Sequence, residues 1–251
     1  MVGPTGEHHG GTQMIEFTFP ELPEESLSLS LDRTGRSSGD PVPTGPPLEG
    51  RVSLGGPLAV PVTSAYTADD KDLAAFVEQE AARAVYHVVH LAVAMAPEPR
   101  TPRLDSVRVE LELSAHGVPA ESVEDPPIAW SMAPSKIKDE AEIGTTLRLG
   151  PQLKIAPVQA TLGEVSRTRT VKRSRPLLEA VGELSAEPRW VMRGTKDVPL
   201  TGSQRLVLVV RVPIGIAAEV ATTVHASVVK GSILRRYVRQ LPGALSLSTV
   251  V

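Results

Sequence analysis

Any chemistry this chain performs has to come from its histidines, carboxylates, serines and arginines, because its 251 residues include no cysteine. That excludes disulfides, thiol nucleophiles and cysteine ligands for zinc or iron–sulfur clusters. His87 and His90 stand three apart. On a helix that spacing puts both rings on one face. A metal site needs further ligands, commonly another His or a carboxylate, and no HExxH-type pattern accompanies them. Two polar side chains on a packed helix are the plainer reading. His8 and His9 lie in a Gly-rich start, and His116 and His225 stand alone in the sequence. The chain has no GxxxxGK[ST] phosphate loop, no GxGxxG between a strand and a helix, and no G-x-S-x-G elbow. Carboxylates are plentiful, but a working acid pair is defined by geometry that spacing does not give. No catalytic, cofactor-binding or metal-binding residue is nominated, and no cofactor is expected.

One charged pattern stands out. Arg167, Arg169, Arg173 and Arg175 share parity, with Val171 among them. On a strand they would form a cationic stripe about 26 Å long, at about 3.3 Å per residue. Such a stripe could meet phosphates, acidic lipids or an acidic protein face. It has no interleaved aromatic rings, so the stacking platform of a single-strand nucleic-acid binder is missing. The plainer alternative is a solvated face paired locally with Glu164, Glu179 or Glu183, and that alternative is favoured.

These groups must be positioned by regular elements. The run from Asp69 to Met95 has the only long helical period. Asp69, Asp70 and Asp72 suit a helix N-terminus, and Leu73, Phe76, Val77, Ala84, Val88, Leu91 and Met95 recur at three- and four-residue steps. Val85, Val89 and Val93 widen the apolar surface of its second half, so that half should be buried on more than one side. Phe76, Val85, Val89 and Val93 are the candidate interface or core positions of this helix. Pro97 and Pro99 would end it. Its apolar run is too short to cross a bilayer.

Most other segments read as strands. Residues 14–19 and 26–31 alternate apolar and polar side chains, and Ser106 to Ser114 alternates most regularly of all. Arg205 to Val212 is the most apolar strand. Residues 214–231 are ambiguous between helix and strand and are read as a short helix or irregular segment followed by a strand around Thr223 to Val229, and Ser232 to Gln240 reads as a short basic amphipathic helix. Twenty-three prolines fit many strand ends and turns. Residues 1–13 should be a flexible tail and 14–251 a single domain. Within it, 32–57 should form a Gly/Pro-rich loop, broken at most by a short strand near Arg51 to Leu54.

Trp130-x-Met132 and Trp190-x-Met192 are each followed by a Gly-led apolar stretch, which raises an internal repeat of about 128–150 and 188–212. The block from Trp190 to Pro213 resembles the hairpin of small domains found beside trypsin-like peptidases in bacterial conflict systems. That resemblance implies no function and no site residue for this chain.

Net charge is −3, so no global field calls for nucleic acid. The excess of Arg over Lys, with abundant Ala, Val, Gly and Pro, is the bias of a high-GC bacterial genome. No basic segment followed by an apolar stretch opens the chain, so a cytoplasmic location is expected. The expectation is an α+β, mostly β fold: antiparallel, sandwich-like sheets with one long central helix at about 69–95. The leading function is a non-enzymatic protein-interaction or self-assembly module, its partner a protein or a second copy in a homo-oligomer. The alternative is a binder of an anionic surface, acidic membrane or nucleic acid, through the arginine stripe. A membrane-acting form of that alternative would rearrange strands in 145–185 into a barrel. A hydrolase with an unrecognised site is the third reading.

Overall fold

The structure, a computed structural model, describes residues 21–32, 46–63, 71–96, 103–118, 123–137, 143–144, 147–148, 154–155, 177–194, 199–230 and 233–247. It is built almost wholly from antiparallel strands. In chain order these are β1 (Glu24–Leu31), β2 (Leu48–Pro61), a ten-residue helix α1 (Lys71–Glu80), β3 (Ala84–Met95), β4 (Arg103–Ala115), β5 (Ile128–Ala133) and β6 (Lys136–Ile137). Then come β7 (Ile143–Gly144), β8 (Leu147–Arg148), β9 (Lys154–Ile155), β10 (Leu177–Val181) and β11 (Arg189–Arg193). The chain finishes with β12 (Gly202–Pro213), β13 (Ala218–Lys230), β14 (Ile233–Gln240) and β15 (Leu245–Leu247). The main sheet runs β5-β12-β3-β2-β1-β14-β13-β4-β11-β10-β6-β7, with β15 on β13, while β8 and β9 pair separately.

This path curls into a nearly closed barrel, which corrects the expected sandwich with a central helix. β5 lies at one end of the order and β6 near the other, joined only by Pro134 and Ser135, so the chain itself bridges the seam. Hydrogen bonds from Ala129 N to Ser185 O, Leu184 N to Ala129 O and Ala180 N to Ser135 O tie the two sides. The buried Trp190 adds a bond from its indole N–H to Pro134 O at 3.3 Å. Closure of this kind leaves little unpaired edge.

The long helix is the second correction. Helix stops at Glu80, a turn follows, and Ala84–Met95 is a strand paired with β2 on one side and β12 on the other. Its β-branched valines suit a pleated surface. Its apolar content all round, which looked like a deeply buried helix, is that of a strand covered on both faces. Val89, Leu91, Val93 and Met95 point into the barrel, where they meet Val107, Val109, Leu111 and Trp190 of the opposite wall. Ala84, Tyr86 and Val88 point outward with Val207 and Val209, and there Leu73, Phe76 and Val77 of α1 cover them. These three helical residues sit at i, i+3 and i+4, one face of the helix.

Two further segments differ from expectation. β2 occupies Leu48–Pro61, so residues 48–57 of the expected loop are strand, and its register shifts between Gly55 and Leu58. Gly56 sits in this bulge at φ +87°, where an added Cβ would stand 2.6 Å from His90 O, so only glycine passes. Residues 233–240, expected as a helix, form β14, because β13 offers a partner for every residue of it. The flexible tail 1–13 and the strand expected at 14–19 lie outside the described residues.

Candidate functional site: an arginine-framed groove on the outer sheet

The outer face of β10, β11, β4, β13 and β14 carries the polar side chains that the barrel interior excludes. Strand register brings them together from positions up to about 130 residues apart. One row across the sheet reads Arg193, Ser106, Ser227 and Arg236. The next reads Val191, Arg108, His225 and Val238, and the third Arg189, Glu110, Thr223 and Gln240. Asp105 joins them because the β4–β13 register shifts between Ser227 and Val228, a bulge that re-aims one residue. All of these but Glu110, Thr223, Val238 and Gln240 line a groove of about 640 Å³, with Asp32, Glu179, Val181 and Leu234 at its margins. Arg189 also lines a smaller cleft of about 240 Å³ with Glu112 and Glu187.

The polar groups are largely committed to one another. Ser227 Oγ donates to Asp105 Oδ2 at 3.4 Å. With that proton used, Ser106 must donate to Ser227 across their 2.6 Å contact. His225 Nε2 meets Glu110 Oε2 at 2.8 Å, and Arg108 meets the other oxygen of Glu110 at 3.0 Å. Lys136 takes Glu179 at 3.2 Å. Neither serine faces a general base, since the one histidine present is turned to a carboxylate, so the arrangement is not that of an activated nucleophile. Arg189, Arg193 and Arg236, by contrast, make no ion pair among the described residues. Three guanidinium groups therefore stand ready around the groove to take carboxylate or phosphate oxygens, the geometry in which arginine excels.

The residues singled out by sequence fall elsewhere. Arg167, Arg169, Arg173 and Arg175 lie outside the described residues, as do most of positions 145–185. Phe76 is half-buried on α1, within an aromatic cluster with Tyr86 (5.7 Å between ring centroids) and Trp130 (6.4 Å). Val85 is half-buried at the start of β3, while Val89 and Val93 are fully enclosed in the barrel core. His87 and His90, expected to share a helical face, point to opposite faces of β3, because a three-residue step reverses direction on a strand. Both are buried, and burial holds both below the usual histidine range, with Arg205 adding to the effect at His90. Burial pushes the Tyr86 phenol up to about 12, and Glu80 adds to the shift against the opposing charge of Arg211. Among the described residues, no group of three His, Asp or Glu is placed to hold a metal ion. Trp130 faces outward under α1 and Trp190 faces the core, so the two W-x-M strands hold their tryptophans in different surroundings.

Sequence reasoning found the wet face of β4, Arg108, Glu110 and Glu112, from its alternation. It missed the groove because Arg189, Arg193, His225, Ser227 and Arg236 join that face only through register. The signal that was present is parity: 225 and 227, like 189 and 193, share a strand face.

No family model matches the chain, and no curated protein matches it. Among solved structures it is similar to a pore-forming protein, at 7% identity and TM-score 0.30 over 94% of this chain and 93% of that one. It is similar to the Clostridium perfringens NetB toxin in its membrane-inserted form, at 8% identity and TM-score 0.29 over 90% of this chain and 94% of that one. The Clostridium perfringens delta-toxin gives 10% identity and TM-score 0.27 over 78% of this chain and 82% of that one. The matches span most of each chain, and TM-scores near 0.3 give the likeness no weight for fold or activity.

Proposed function

We propose that this protein is a non-enzymatic binding module whose outer-sheet groove takes an acidic protein surface. The observation that carries the reading is the set Arg189, Arg193 and Arg236, three guanidinium groups without an ion pair among the described residues, framing a groove of about 640 Å³. Asp32, Asp105 and Glu179 line the same groove. A flexible protein chain can bring carboxylates to the arginines and turn away from those acids, whereas the fixed phosphate spacing of a rigid duplex cannot adjust to them. The groove presents no exposed aromatic ring on which bases could stack, since Tyr237 at its edge is buried. Among the described residues the barrel interior is a packed core, filled by the side chains of both walls.

The test is binding of poly-L-glutamate to the intact protein, followed by calorimetry. R193E/R236E should weaken it at least tenfold, and wild-type binding should fall as salt rises past the concentration where the Debye length is about 8 Å. Binding that ignores both the double substitution and salt overturns the reading. Preferential retention on vesicles of phosphatidylserine would replace it with a membrane function.

A further inference from the structure

The groove runs along the β10–β11 hairpin from Arg193 and Arg236 at one end to Val181 and Arg189 at the other, and the connections beyond that second end have the complementary character. At that far end three connections carry exposed apolar side chains: Leu184 between β10 and β11 (63% exposed), Val118 after β4 (45%) and Ile214 after β12 (41%). The pairing of Leu113 N with Ala186 O, His116 N with Ala217 O and Ile214 N with Arg83 O places the three connections at the same end. Acids cluster there too. Glu80, Asp125 and Glu219 are paired with Arg83, Arg211 and His116. Glu124, Glu183 and Glu187 make no ion pair among the described residues.

Leu184 is the telling residue. Its φ is +61°, the only non-glycine in the left-handed region among the described residues. A bulky side chain there strains the backbone, and this one stands mostly in water, so it is costly on both counts. The turn holding it is nonetheless firmly built. Leu184 N donates to Ala129 O at 2.7 Å, and Ser185 Oγ donates to Gly182 O at 2.8 Å. The turn is therefore a preformed apolar knob, with Glu183 beside it and Glu187 three residues on.

We propose that the acidic partner of the groove is a second copy of this chain, which seats its Leu184 turn there with Glu183 and Glu187 against Arg193 and Arg236. The proposal rests on the groove reading above. Within one copy Glu183 and Glu187 are remote from Arg193 and Arg236: Ser106, in the row of those arginines, and Leu113 beside the knob are seven residues apart on one strand, about 23 Å at about 3.3 Å per residue. Apolar Val181 and Leu234 at the groove margin offer Leu184 a place out of water. Contact between two different surfaces is heterologous, so the assembly is head-to-tail, a ring if it closes and a filament if it does not.

Sedimentation velocity on the full chain, across protein concentration and at two salt levels, tests this. Wild type should associate in a concentration-dependent, salt-weakened manner. E183R/E187R and R193E/R236E should each weaken association at least tenfold, and an equimolar mixture of the two should restore it, because the knob of one then meets the groove of the other with signs intact. Leu184→Gly, at a position whose backbone suits glycine, should weaken association severalfold while leaving poly-L-glutamate binding unchanged. A wild type that stays monomeric, or association unaltered by either charge reversal or not restored by mixing, overturns the proposal. A monomeric wild type that still binds poly-L-glutamate through the groove overturns the second copy alone; loss of both removes the groove reading as well.

Discussion

His87 shows what a single buried side chain imposes. Its ring lies on β3 facing the barrel interior, and its Nε2 meets no partner. Burial depresses its pKa, so the unfolded chain takes up a proton that the folded one refuses. Stability from this site is complete above the ordinary histidine value of 6.5 and declines as pH falls from there through the depressed folded value. His87→Leu should flatten that decline without unfolding the protein, leaving the share due to His90. Urea midpoints at neutral and mildly acid pH check it, and an unchanged acid slope in the variant would refute it. Leu184 makes a stability prediction independent of its proposed contact. The left-handed backbone costs a leucine about 1–2 kcal/mol, and glycine's extra chain entropy takes back about 0.5–1 kcal/mol. Leu184→Gly should therefore stabilise the monomer by roughly 0.5–1 kcal/mol, read as a higher urea midpoint; a lower midpoint would show that the leucine is held by contacts within its own chain.

At the scale of elements, β3 and α1 divide what the sequence presents as one helix. The prediction contrasts one residue from each. Val93 is fully enclosed between the barrel walls, so Val93→Asp buries an unpaired carboxylate and should abolish folding, seen as loss of the strand signal in circular dichroism. Phe76 is half-buried on the outer surface of β3, where it touches two other rings. Phe76→Ala should cost roughly 1–3 kcal/mol, less than a fully enclosed phenylalanine, and leave the barrel folded. A soluble, folded Val93→Asp protein would contradict the strand assignment, because on a helix surface that position could turn to solvent.

For the whole molecule, the β meander joins itself through a short bridge. β5 completes one end of the strand order, and two residues later β6 starts at the other, with Trp190 bonded to the carbonyl of Pro134 between them. Among the described residues the circuit puts most large apolar side chains inside or beneath α1 and leaves the outer sheet chiefly for polar and charged ones. It also separates Arg193 and Arg236, at one end of the groove, from the acidic loop end along the length of β4 and β13. A barrel with one basic flank and one acidic, apolar-tipped end has a direction, and direction is what a head-to-tail assembly requires.

The sequence by itself determined a good deal. The alternation of Ser106 to Ser114 and the apolar run Arg205 to Val212 announced β4 and β12, because period-two patterning is a local property of a half-buried or buried strand. Leu73, Phe76 and Val77 announced α1 in the same way. Where that helix ends was not legible: Ala81, Ala82 and Arg83 are good helix formers, and no glycine or proline stops them. The stop belongs to the tertiary structure, because only partners on both sides, β2 and β12, make the strand state of Ala84–Met95 the stable one. The groove and the knob belong to it for the same reason. Arg193, Ser106, Ser227 and Arg236 form one row through ladder register, and the cost of an exposed leucine at positive φ exists only once the turn is built. Local pattern fixes what each residue prefers; long-range pairing decides which residues become neighbours.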